Sequence, residues 1–151
     1  MLSAPDRRIL NVLQREGRIS VVELSRRVGL SETPCARRMK QLEESGVITG
    51  YGARLDPNRA GLAISAFITV NTDQRNETDR SLFQDAVRRE PRIVGCAAIS
   101  GVSDFMLEVV AADMDDLSNL TLERLLGLPT VTDIATSVVF RWLKRDEPLP
   151  L

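Results

Sequence analysis

The sequence predicts an α+β chain in two parts: three short helices, then a β-α-β-β-α-β succession. Three observations carry this. Residues 6–46 place apolar side chains at helical spacing, punctuated by Gly17, Gly29 and Gly46. From Ile64 onward, runs rich in β-branched and aromatic residues alternate with helical ones. The charge divides as well: residues 1–62 carry eleven Lys/Arg against seven Asp/Glu, and residues 63–151 nine against fourteen. A basic first third joined to an acidic remainder suggests two modules, the first with a polyanionic partner.

Asp6 is expected to cap a first helix through RRILNVLQRE, with Ile9, Leu10 and Leu13 apolar and Gly17 at its end. Its part is support, with Arg7 or Arg8 brought toward a phosphate. Ser20 and Glu23 fit a capping box opening a second helix, whose Val21, Leu24 and Val28 share one face. Gly29 stops it, because glycine takes the left-handed conformation without steric cost. Leu30 plugs the corner, and Ser31 caps a third helix whose first turn tolerates Pro34. There Cys35, Met39 and Leu42 fall at i, i+4 and i+7 and point inward, while Thr33, Arg37 and Lys40 point outward. Gly46 ends that helix, and Val47-Ile48-Thr49-Gly50-Tyr51 reads as a short strand leaving the bundle. A short helix with an uncharged core face and a basic outer face matches the recognition helix of a helix-turn-helix, and the strand makes it winged. The DNA-contact candidates are Ser31, Thr33, Arg37, Arg38 and Lys40. Thr33 and Arg37 are near base edges on the outward face; Arg38 and Lys40 flank it, toward phosphates.

Asp56-Pro57-Asn58 is a turn signal. The domains expected are 1–50 for the helix-turn-helix, 51–61 for a linker, 62–145 for a second domain and 146–151 for a loose, proline-rich tail. The second domain begins with a strand at 64–71 (ISAFITVN), followed by the polar run TDQRNE. Leu82, Phe83, Ala86 and Val87 then mark a helix stopped by Pro91. Strands at 93–100 and 104–111 flank a turn at Gly101-Val102-Ser103. Asp113 or Asp115 opens a helix through Leu117, Leu120 and Leu125, ended by Gly127 and Pro129, and the last strand is 131–143. This β-α-β-β-α-β order is the ferredoxin-like arrangement, with two helices on one face of an antiparallel sheet. Phe67, Val70, Ala97, Ile99, Phe105, Leu107, Val138 and Phe140 are too many for two short helices to cover, so the other face is expected to meet a second subunit.

Composition narrows the function. With 43% apolar and 27% charged residues the chain has the balance of a folded, soluble protein. No apolar run approaches the ~20 residues of a membrane span, and the N-terminus lacks the apolar core of a signal peptide. Cys35 and Cys96 both sit in apolar patterns and read as reduced core thiols in the cytoplasm. There is no histidine, which removes imidazole bases, Ser-His-Asp triads and nearly all zinc sites. Asp104 and Glu108 are four strand positions apart, roughly 13 Å, too far to act as a carboxylate pair. An enzyme is not expected, nor a cofactor or metal.

The order VELSRRVGLS, TPC, ARRMKQLEESGVI and TGY resembles the N-terminal half of the Lrp/AsnC (feast/famine) transcription regulators. The second domain is similar to the same family's, so the resemblance covers roughly residues 5–145. It implies a sequence-specific regulator of double-stranded DNA, assembled as a homodimer and higher oligomers and responsive to an amino acid or related small molecule. Gly101, Asp104 and Phe105 match the family's Gly-x-x-Asp-aromatic segment, which lies at an effector pocket between dimers. There the backbone N–H groups of Gly101 and Val102 are suited to a ligand carboxylate, and Asp104 to its ammonium. Thr136 falls at a position the family associates with effector response. Ser103 stands where the family usually has an aromatic, implying a differently shaped or more polar pocket. The alternative reading is a small-molecule-binding module that regulates a protein partner through the helical bundle.

Overall fold

A computed structural model describes residues 2–73 and 77–151, the side chain of Glu77 excepted. The elements run α1 (Ala4–Leu13), α2 (Val21–Val28), α3 (Glu32–Glu44), β1 (Ile64–Thr72), α4 (Glu77–Arg89), β2 (Ile93–Ala98), β3 (Phe105–Ala111), α5 (Met114–Ser118) and β4 (Val131–Val138). They form two compact units, Met1–Arg54 with Leu143–Leu151, and Leu55–Trp142.

In the first unit α1 both starts and ends earlier than expected, with Gln14 and not Gly17 at its C-terminal end. Ser3 is its N-cap, and Asp6 is the reciprocating residue of a full capping box. The α2 box is half made: the Ser20 hydroxyl accepts from the Glu23 N–H at 3.2 Å, while the Glu23 carboxylate pairs with Arg27. Beyond α2 the Leu30 N–H donates to Ser25 O and the Gly29 N–H to Arg26 O, a Schellman closure that turns the chain sharply into α3. Ile9, Leu10, Leu13, Leu24, Val28, Cys35 and Leu42 form the core, with Met39 packed against it. Among the described residues no strand pairs with Val47–Tyr51; the expected strand is irregular chain, bent at Val47 and Ile48. The tail is held more closely than its composition suggests. The Leu149 N–H donates to Gln14 Oε1 at 2.6 Å and Gln14 Nε2 donates to Leu149 O at 3.3 Å.

In the second unit the strand order is β2-β3-β1-β4, all neighbours antiparallel, as the ferredoxin-like order requires. Ala66, Ile68 and Val70 of β1 share the helix-side face with Val109, Leu107 and Phe105 of β3, and Phe83, Leu117, Leu120 and Leu125 close over them. Of the residues expected on a second apolar face, Val70, Phe105, Leu107 and Val138 belong to this covered side instead. Alternation of period two decides it, because Val138 pairs with Ala66 and not with Phe67. The open face carries Phe67, Met106 and Ala97 among Ser65, Thr69, Glu108 and Ser137. Cys96 is likewise not a core thiol but exposed on the edge strand β2, whereas Cys35 is buried. β4 stops at Val138 rather than 143, and β2 at Ala98. Of the polar run TDQRNE, residues 74–76 lie outside the described residues.

After Asp113 caps α5, residues Asn119–Leu125 continue as a π-helix, with the Leu126 N–H bonded to Thr121 O. The Thr121 hydroxyl donates to both Leu117 O and Ser118 O, occupying carbonyls that would otherwise close the α-helical ladder. Gly127 follows because a Cβ there would lie 2.3 Å from Glu123 O. Behind this segment Arg92 is clasped by Glu90 (Nε–Oε1 2.7 Å, Nη2–Oε2 3.0 Å) and by the Asp116 carboxylate, and it also donates to Asp116 O. These bonds from Arg92 hold the Glu90 carboxyl below its ordinary pKa, against the opposing pull of burial.

Candidate nucleic-acid interface and ligand turn

α3 owes its exposure to the two helices that carry it. Cys35 is fully buried and Leu42 nearly so, which turns Thr33, Arg37 and Lys40 outward, as the 100° rotation per residue dictates. Ser31 occupies the N-cap position but makes no side-chain cap bond, so its exposed hydroxyl remains available at the helix's N-terminal end. Arg37 has no hydrogen bond or ion pair among the described residues, and Lys40 only an exposed pair with Glu44 at 3.6 Å. Arg38 differs. Its guanidinium is half-buried and paired with the Asp6 carboxylate at 2.9 Å, with a further bond to Ser3 Oγ at 3.3 Å. It therefore fastens α3 to α1 and is not a free phosphate ligand in this arrangement. Arg8 is similarly engaged, its Nε donating to Val28 O at the end of α2. Arg7, Arg18 and Arg26 remain exposed around the same bundle. The sequence points to Asp6 as the cap itself, whereas it is the capping-box partner of Ser3, and nothing in spacing signals that it also takes Arg38.

The ligand turn is built from the β2–β3 connection. The Ile99 N–H donates to Asp104 O, closing the loop, and Gly101 sits at φ 136°, a conformation that side chains rarely adopt. Val102 projects from the tip, 97% exposed. Asp104 is anchored to the end of β1: its Oδ2 accepts from the Thr72 N–H at 2.8 Å and the Thr72 hydroxyl at 3.1 Å, and its own N–H donates to Val70 O and Asn71 Oδ1. Oδ1 of Asp104 has no partner among the described residues, so half of the carboxylate faces outward. Phe105 points the other way, its ring 4.8 Å from that of Phe83. Thr136 is not brought to this turn. It pairs with Ile68 across β1, three register positions from the Asp104 row and two strands over, roughly 14 Å at standard sheet spacing.

Comparison with known proteins decides what these two units are. Residues 2–49 match the family described as winged helix-turn-helix DNA-binding, and residues 65–149 match the Lrp/AsnC ligand binding domain. The chain belongs to the Lrp/AsnC family. It is thus a DNA-binding transcriptional regulator with a ligand-binding domain. Among Lrp/AsnC relatives, the leucine-responsive regulatory protein of Escherichia coli (strain K12) is 40% identical over 144 residues, covering 95% of this chain and 88% of that protein. A transcriptional regulator from Neisseria meningitidis, solved as a complex with L-Met, superposes with a TM-score of 0.95 at 39% identity, over 99% of this chain and 97% of that one. An AsnC family transcriptional regulator from Agrobacterium tumefaciens gives 0.91 at 30% identity, over 99% and 97%. The winged helix-turn-helix and ferredoxin-like reading of the sequence therefore holds. Among the described residues no helix is long and apolar enough to cross a membrane.

Proposed function

We propose that this regulator reads double-stranded DNA in the cytoplasm through the outward face of α3, and that an amino acid at the Gly101–Asp104 turn modulates its binding or assembly. The single observation that carries the first part is the division of labour along α3. Ser31, Thr33 and Arg37 are exposed toward its N-terminal half, where a recognition helix meets base edges, Lys40 is exposed further along, and Arg38 holds the helix in place from behind. Arg37→Ala should cost about 1–3 kcal/mol against a selected genomic fragment and relax specificity at one base pair. Lys40→Ala should weaken all sequences alike and flatten the salt dependence. Arg37→Ala binding as tightly as the parent would remove this face from the interface.

For the ligand, the outward Oδ1 of Asp104 and the open amides of the glycine turn favour a zwitterion. The relatives' responses to leucine and binding of L-Met make those two amino acids the first probes. Thr136 takes part through a neighbouring copy, since one chain keeps it apart from Asp104. The homodimer and higher oligomers build on the open face of the sheet, where Phe67 and Met106 are only partly covered; Thr136, opposite Ile68, lies on the other parity and meets a copy at the edge strand β4. No catalytic step is part of this reading. Asp104→Asn preserves an acceptor for Thr72 and removes the charge, so it should lower affinity for L-methionine by about 1–2 kcal/mol, between the values for exposed and buried charge pairs. Calorimetry that finds the two proteins equal would reduce Asp104 to a hairpin residue.

A further inference from the structure

The chain leaves the DNA-binding unit at Arg54 and returns to it at Leu143, so two segments connect it to the ligand-binding unit. Both are fastened at one residue. The main-chain carbonyl of Gln14 accepts from Arg54 Nη2 at 3.0 Å, and its side-chain amide takes the backbone of Leu149 from both sides. Gln14 is also the C-cap of α1, its N–H bonded to Leu10 O, so a pull on either segment arrives at the helix that supports α3.

The place where the tail lands is suited to it. Leu2, Leu10, Leu13, Val47 and Ile48 line an apolar groove of about 210 Å³, which Leu149 and Leu151 border. Prolines at 148 and 150 hold the tail extended and set those two leucines on alternate positions. Leu149 is 68% exposed and Leu151 36%, so the backbone clasp by Gln14, more than side-chain burial, fixes the tail. A contact of this kind is releasable. It can open without unfolding the bundle.

We propose that the chain's own Leu149–Leu151 segment docks at the rim of this groove through the Gln14 amide, and that Gln14 is the positioning residue that joins both connections to α1. The tail thereby supplies a second route by which the state of the ligand-binding unit reaches the recognition helix. This consequence rests on the regulatory reading above, whereas the docking itself does not.

Amide hydrogen exchange on the full-length protein without DNA or ligand tests the docking directly. The Leu149 amide should exchange more slowly than in a free peptide. In Gln14→Ala its protection should fall roughly two- to tenfold, the range for loss of one net hydrogen bond. Gln14→Glu keeps the acceptor for the Leu149 N–H and should retain that protection, which a general loosening of α1 would not. Ending the chain at Pro148 should speed exchange in the last turn of α1 while leaving α3 protected. A Leu149 amide that exchanges at the free-peptide rate in the parent, or protection unchanged in Gln14→Ala, overturns the proposal. For the coupling, fragment binding is measured with and without L-methionine. The shift caused by L-methionine in the parent should shrink in Gln14→Ala, with calorimetric affinity for L-methionine unchanged. An undiminished shift overturns the coupling, while failure of the parent to bind DNA or L-methionine at all would count against the functional reading and leave the exchange result standing.

Discussion

Arg92→Ala is expected to destabilise the ligand-binding unit by about 3–5 kcal/mol, measured by urea unfolding monitored through Trp142. The Glu90 side chain is 8% exposed and that of Arg92 16%, so the pair is largely out of water. Removing the guanidinium leaves buried Glu90 with the main-chain N–H of residue 92 and the exposed Arg124, at 3.5 Å, to answer it, and releases Asp116 at the head of α5. The pH dependence follows. Glu90 has a folded pKa held below its unfolded value, chiefly by hydrogen bonds from Arg92. Its stabilising contribution is therefore complete above the ordinary carboxyl range and is lost as pH falls through the folded value. In Arg92→Ala the largest part of that depression is lost, with the backbone N–H of residue 92 and Arg124 remaining, and acid unfolding should begin at a higher pH than in the parent. A variant that unfolds at the same urea concentration would mean the cluster contributes nothing net.

Phe83→Ala should cost a similar amount, about 3–5 kcal/mol, because the ring is 1% exposed in the core and its removal leaves a cavity beside Phe105. Its effect should also reach the ligand turn. Phe105, against which Phe83 packs, directly follows Asp104, so loss of the ring frees the first residue of β3. The expected signature is faster amide exchange at Asp104, whose N–H bonds to Val70 and Asn71, in a protein that remains folded below its melting temperature. Phe83→Leu, which keeps most of the volume, should restore the turn and most of the stability.

Much of this architecture was legible from residue spacing. The three helices, the glycine stops at Gly29 and Gly46 and the outward set Thr33, Arg37 and Lys40 follow from residue spacing, as does the β-α-β-β-α-β order from alternating composition, whereas α1 ends at Leu13 and not at Gly17. What escaped were features set by partners distant in sequence. Asp6 completes the capping box of its own helix with Ser3, which is local, and takes Arg38 from 32 residues away, which is not. Asp104 was read as aimed at a ligand, yet one of its oxygens is committed to Thr72 on a strand that the sequence separates from it by a helix and another strand. The two faces of the sheet were confused because β1 and β3 carry apolar residues on both parities, and only the pairing register separates Phe67 from Val70. The tail looked loose because its composition says nothing of Gln14.

The sheet's strand order has an evolutionary consequence. β1 opens the ligand-binding unit and β4 closes it, and the two are antiparallel neighbours, with Ala66 opposite Val138 and the Val139 N–H bonded to Ser65 O. Its two ends thus emerge side by side, the geometry that lets a domain be inserted into a host chain with little loop-closure cost. Residues 55–142 form a cassette. A different sensing domain with adjacent ends could be spliced between Arg54 and Leu143 without lengthening either join, so what such a protein detects can change by exchange of one block while the DNA-reading helices are left alone.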